Sequence, residues 1–316
     1  MGKGTTLRVF DANLMYLLGS LLFFTIGFAV QQREIYTGLI ITQLAVVLLP
    51  PFLYLEIRRM DVRQVLRLNP ITIKQGILTA LITIFMYPTA VSANLILLNL
   101  LGRVGTLDVP QIPTASSPME YIRLMLIISV LAGICEEVFF RGFVLRGYER
   151  IGPKAAILVS SILFGVFHYN IYNLLGATVL GLVFGMVVMT TNSLYAGMVG
   201  HIVNNGFAVT LGYIFNLIGE ILPPEEMEMA ELALNDSLMA SLLFFGGLAL
   251  IGLVISYYLF KKLRACNQPD PVVESEEETS SDTDKSYLWE YFPLAGVIPL
   301  YVHVVFIQIS MLASRF

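Results

Sequence analysis

The chain has 316 residues, of which 56% are hydrophobic and only 13% charged, with a mean hydropathy of +0.76. A soluble domain carries about 25% charged residues, so this composition excludes an ordinary water-soluble globule and points to a lipid solvent. The formal net charge of −4 conceals segregation, with acidic residues crowded into 220–236 and 274–284 and basic ones into 57–67 and 261–264.

Crossing a bilayer takes about 20 apolar residues in a helix. Runs of that kind recur at 12–31, 37–55, 76–100, 120–146, 154–170, 172–190, 194–218, 238–260 and 290–313. They predict an all-α, polytopic transmembrane bundle of eight to nine spans. The first run follows Lys3 and Arg8 but is too long for a signal-peptide core and lacks a small-x-small cleavage site, so it reads as a true span. Pro88 predicts a kink in the third. The fifth is short and runs into the sixth through His168, Tyr169, Asn170, Ile171 and Tyr172. Gly176, Gly181, Gly185, Gly197 and Gly200 read as close-packing positions on the sixth and seventh.

Lys and Arg set the expected orientation. Arg58, Arg59, Arg63, Arg67 and Lys74 follow the second span, Arg146, Arg150 and Lys154 the fourth, and Lys261, Lys262 and Arg264 the eighth. The alternate connections are poor in both residues. This pattern predicts an integral, multi-pass protein of the plasma membrane with a cytoplasmic N-terminus and Arg315 and Phe316 outside. The chain divides into N-terminal helices and loops (1–119), a core with polar motifs (120–212), an outer loop with the following span (213–264), an acidic disordered linker (265–289) and a C-terminal hydrophobic helix (290–316). The two cysteines, Cys135 and Cys266, do not form a disulfide framework.

Three polar clusters interrupt the apolar core. Ionisable groups in lipid cost about 2.5–3.5 kcal/mol each at a span centre and persist there mainly for function. The first cluster is Glu136-Glu137 with Arg141, the second Phe164 with His168, the third His201 with Asn205. At ~1.5 Å rise per residue, Glu136 lies ~15 Å from Arg146, His168 ~21 Å from Lys154 and His201 ~10 Å from Leu194, which puts the three in one layer. Glu137 and Arg141 are spaced i,i+4 and should pair, leaving Glu136, ~100° away, for chemistry. His201 and Asn205 share a face, as do Phe164 and His168. Each cluster alone has a plain structural reading: a helix-end ion network, an interfacial histidine, or interhelical hydrogen bonding. Their meeting at one depth favours a common pocket. His303 has no partner in sequence, and Asn204 is out of phase with His201.

The order Glu-Glu-x-x-x-Arg, Phe-x-x-x-His, His-x-x-x-Asn resembles the CPBP family of intramembrane proteases, also called the ABI or CAAX-protease family. The resemblance covers about residues 120–212. It implies an intramembrane endopeptidase, with spans four to seven as its catalytic core. It further implies that Glu136 activates water with help from His168, that His201 and Asn205 polarise the scissile carbonyl, and that Glu137, Arg141 and Phe164 support the site. The chemistry agrees, since hydrolysis needs a base for water and donors for an oxyanion. A zinc held by Glu136, His168 and His201 matches catalytic ligand types and the family's common description as metalloproteases; a metal-free glutamate mechanism is the other reading. The expected partners are membrane lipid and a peptide or lipidated protein substrate, with no nucleic acid. The competing classes are a non-catalytic membrane binding or peptide-toxin immunity protein and a proton-coupled transporter. The lack of an internal repeat weighs against the transporter.

Overall fold

In a computed structural model of the chain, the structure describes residues 6–105, 107, 113–221, 238–267 and 287–313. Among these the architecture is all-α: α1 (Val9–Gln31), α2 (Ile35–Ile57), the short α3 (Val62–Val65), α4 (Ile73–Leu101), α5 (118–148), α6 (Pro153–Phe167), α7 (Leu174–Thr191), α8 (Leu194–Ile221), α9 (Leu238–Ala265) and α10 (Phe292–Ala313). Most of the predicted acidic linker and outer loop, with Arg315 and Phe316, lies outside the described residues.

Helix starts follow local chemistry. Thr72 and Gln75 form a reciprocal capping box at α4. Ser117 caps α5, with Pro118 in its first turn. The Glu34 carboxylate caps α2 by accepting from the Thr37 and Tyr36 amides and the Thr37 hydroxyl. These bonds, those from Thr37 foremost, hold the Glu34 carboxyl below its ordinary value. Pro88 sits within an unbroken α4, where Ser92 Oγ donates to the Pro88 carbonyl at 2.8 Å.

Among the described residues, seven helices are long and apolar enough to cross a membrane. They make this an integral, multi-pass membrane protein built as a helical bundle. Two of the nine predicted spans fall outside that set. The fourth, α5, carries Glu120, Arg123, Glu136, Glu137, Arg141 and Arg146. The fifth, α6, is only 15 residues long. At ~1.5 Å per residue it covers ~22 Å, short of a hydrocarbon core of ~30 Å.

Packing gathers the bundle around α5. On one side α5 meets α8 so closely that a Cβ on Gly133 would sit 2.7 Å from Ile202 Cγ1. On others it contacts α1, α2, α6 and α7, while α4 packs against α7, α8 and α9. At the basic end, Arg67 reaches across to Glu149 and to Asn192 Oδ1, lacing three connections together. The last helix lies along the first. In the turn that leads into α10, Trp289 packs tilted against Phe10 with ring centroids 5.2 Å apart, and the Glu290 carbonyl accepts from Asn13 Nδ2 at 2.9 Å.

Candidate active site

The middle of α5 is a six-residue α segment, Ala132–Glu137, between two wider π-wound stretches, Met125–Leu131 and Val138–Val144. Such stretches gather at functional sites. Here they bring Glu136 and Glu137 to face different neighbours. The expected Glu137–Arg141 pair forms, with Arg141 NH1 donating to Glu137 Oε1 at 2.7 Å and both side chains fully buried. Arg141 NH2 also donates to the Gly181 carbonyl at 3.2 Å. Its guanidinium lies 4.3 Å from the Phe164 ring centroid and 5.3 Å from that of Phe184. A buried cation with this many partners holds its geometry well.

Glu137 has a second partner. His201 Nδ1 lies 2.9 Å from the same Oε1, so a carboxylate and an imidazole are joined across α5 and α8. A carboxylate only accepts, so His201 donates through Nδ1, leaving Nε2 to face the site. That Nε2 is 3.8 Å from Glu136 Oε2. The gap is too long for a direct hydrogen bond and suits a shared water lying beside it. The His201 ring stacks on Phe184 at 4.9 Å, which fixes its plane.

Glu136 is also held. Gln43, near the middle of α2, donates from Nε2 to Glu136 Oε1 at 2.7 Å. One carboxylate oxygen is thereby occupied and the other is turned to His201. Sequence reading did not single out Gln43. The signal was there, a carboxamide within an apolar span, but its partner lies 93 residues away.

His168 ends α6. Its Nδ1 lies 2.8 Å from the Phe164 carbonyl, and a carbonyl only accepts, so Nε2 is left unprotonated in the neutral ring. Phe164 meets both imidazoles, His168 in a T-shaped contact at 4.9 Å and His201 in another at 5.7 Å. One ring thus contacts both histidines and the Arg141 guanidinium. Asn205 Nδ2 donates to the Ile128 carbonyl in the first π-wound stretch at 2.9 Å, and its Oδ1 accepts from Asn204. One amide hydrogen of Asn205 remains for another acceptor.

Gly197 has a specific task here, beyond the general close packing expected from sequence. A Cβ at that position would lie 2.7 Å from Glu137 Oε2 and 2.6 Å from Val188 Cγ2. Three further polar atoms at the site, Gln43 Oε1, Glu137 Oε2 and Arg141 Nε, are buried without a hydrogen-bond partner.

The fit of a metal can be judged on the donors. No group of three or more His, Cys, Asp or Glu side chains placed to hold an ion occurs among the described residues. Glu136 and His201 meet at 3.8 Å, His168 is tied to the Phe164 carbonyl, and Glu136 Oε1 is already engaged by Gln43. The donor set Glu136, His168 and His201 is therefore not gathered around one point, and no chemical step is routed through a metal.

Comparison with known proteins falls on this same region. Residues 118–207 match the family described as type II CAAX prenyl endopeptidase, Rce1-like. The matched segment contains all three motifs, Glu136-Glu137 with Arg141, Phe164 with His168, and His201 with Asn205. The "Putative membrane peptidase YdiL" of Bacillus subtilis (strain 168) is 30% identical over 95 residues, which cover 29% of this chain and 39% of that protein. No solved structure matches the chain.

Proposed function

We propose that this protein is an intramembrane endopeptidase that hydrolyses a peptide bond in a membrane-associated or lipidated substrate. The observation that carries the reading is the facing pair Glu136 Oε2 and His201 Nε2 at 3.8 Å, each side chain oriented from behind by a second polar group. In this reading a water beside the pair gives a proton to Glu136 as its oxygen attacks the scissile carbonyl carbon. The tetrahedral intermediate carries the developing negative charge on the former carbonyl oxygen. Donors for that charge are the spare amide hydrogen of Asn205 and His201, which receives at Nε2 the proton that Glu136 took from the water. The proton then passes to the leaving nitrogen as the C–N bond breaks. His168, with its Nε2 free, assists the proton transfers. Glu137 and Arg141 hold His201 in its tautomer.

The family description supports a prenylated substrate, and the segregated basic residues support a cytoplasmic N-terminus in the plasma membrane. The test uses purified full-length protein in lipid vesicles and a farnesylated, fluorophore-labelled peptide ending in Cys-a-a-X. Wild-type protein is expected to cut the probe, and Glu136→Gln to lose at least about 1,000-fold of that rate with unchanged expression and thermal midpoint, since the variant removes the base. An uncut probe with wild-type protein, or full activity in the variant, overturns the proposal.

A further inference from the structure

The break between α6 and α7 interrupts the helical ladder of backbone hydrogen bonds. Helix α6 ends after 15 residues. The turn that follows, His168 to Asn173, must satisfy its backbone N–H and C=O groups without a helical ladder. Most of its groups are satisfied locally. The His168 and Tyr169 amides donate to Gly165 and Val166, the Tyr172 amide to Asn170 Oδ1, and the Asn173 amide to the Asn170 carbonyl. The Tyr169 carbonyl and the Ile171 amide are met from a distance. Gln308, on α10, donates from Nε2 to the Tyr169 carbonyl at 2.9 Å and accepts from the Ile171 amide at Oε1, also at 2.9 Å.

The same turn holds a strained residue. Tyr169 has φ +47°, in the left-handed region that a bulky side chain rarely enters. Its ring is packed by Phe23, Phe24 and Phe167, and by Tyr301 from α10 at 6.3 Å. Tyr169 is the residue directly after His168. Whatever fixes its backbone fixes the direction from which the His168 ring enters the site.

We propose that Gln308 is a positioning residue for His168: its carboxamide clamps both sides of the 169–171 turn and so sets the imidazole beside Phe164. The proposal rests on the peptidase reading only for its kinetic consequence. It assigns α10, which lies outside the 118–207 family match, a part in the site. Both hydrogen-bonding roles of one amide are needed. Gln308→Glu keeps the acceptor for the Ile171 amide but sets a second acceptor against the Tyr169 carbonyl, whereas Gln308→Met loses both at similar volume.

The test measures full-length wild-type, Gln308→Met, Gln308→Glu and the lipid-facing control Phe306→Leu in lipid vesicles. Three quantities are read: hydrogen exchange at the Ile171 amide, the rate at which diethyl pyrocarbonate modifies His168 relative to His303, and kcat and KM on the farnesylated probe. Gln308→Met is expected to exchange Ile171 about fivefold faster, the factor for one lost hydrogen bond. It should also change the His168 modification ratio, and lower kcat about 10-fold to 100-fold with KM little altered. Gln308→Glu should fall between, and Phe306→Leu should match wild type. Unchanged exchange and unchanged His168 reactivity in Gln308→Met overturn the clamp. So does faster exchange spread over all helices, which would mark general destabilisation. If wild-type protein fails to cut the probe, the proposed function falls while exchange and His168 reactivity still decide the clamp.

Discussion

At the scale of single residues, the site is a set of side chains that each answer to two neighbours. Glu137 joins Arg141 to His201, and Gln43 and His201 flank Glu136. The buried pair is the costliest to disturb. Arg141→Met leaves Glu137 as a carboxylate in an apolar interior without its cation, and a loss of about 3–5 kcal/mol is expected. Thermal unfolding in detergent measures it as a lowered midpoint. A midpoint equal to wild type would show that the carboxylate does not depend on the guanidinium. Part of this was legible in the sequence. The i,i+4 spacing of Glu137 and Arg141 announces their pairing, because neighbours on one helix meet by geometry alone. The meeting of Glu136 with His201 was legible from their shared depth, but the Gln43 partner of Glu136 and the second partner of Glu137 were not, because they join residues 93 and 64 positions apart and depend on how helices are arranged. A glutamine in an apolar span is a visible oddity, but nothing local says which helix it will face.

At the scale of elements, contact distance matters most. Gly197 lets α8 approach the Glu137 carboxylate to a distance no side chain tolerates. Gly197→Ala is therefore expected to push α8 from α5, lengthen the Glu136–His201 gap and lower kcat at least about tenfold, since small misplacements at a reacting centre cost that much or more. An alanine variant with wild-type kcat would show that the carboxylate can swing aside. Hydrophobic runs located the helices because a span's length and apolarity are local properties. The winding of α5 through two π stretches left no such trace. The early end of α6 at Phe167 did leave one, in the polar His168 and Asn170 that close the short fifth run, but the left-handed backbone at Tyr169 did not.

At the scale of the whole molecule, the segregation of charge makes a direct prediction about sidedness. Cys266 is part-exposed at the basic end of α9, while Cys135 is fully buried beside Glu136. With a cytoplasmic N-terminus, a membrane-impermeant maleimide should label Cys266 only in inverted vesicles, and Cys135 in neither orientation. Labelling of Cys266 in intact cells would reverse the assigned orientation. The bundle class was readable from composition, because lipid imposes helices on any spanning backbone. The lacing of α10 onto α1 and onto the turn after His168 was not, since a carboxamide and a few aromatic rings on a lipid-facing helix resemble ordinary interfacial residues.

The clamp from α10 also has a meaning in time. Ribosomes make α10 after every other described helix, so a growing chain holds Glu136, His168 and His201 before Gln308 has been added. During that interval the half-built protein sits among other newly inserted polypeptides at the translocon. In the proposed reading, a peptidase whose His168 is set in part by its latest helix would work below its full rate until its own assembly is finished.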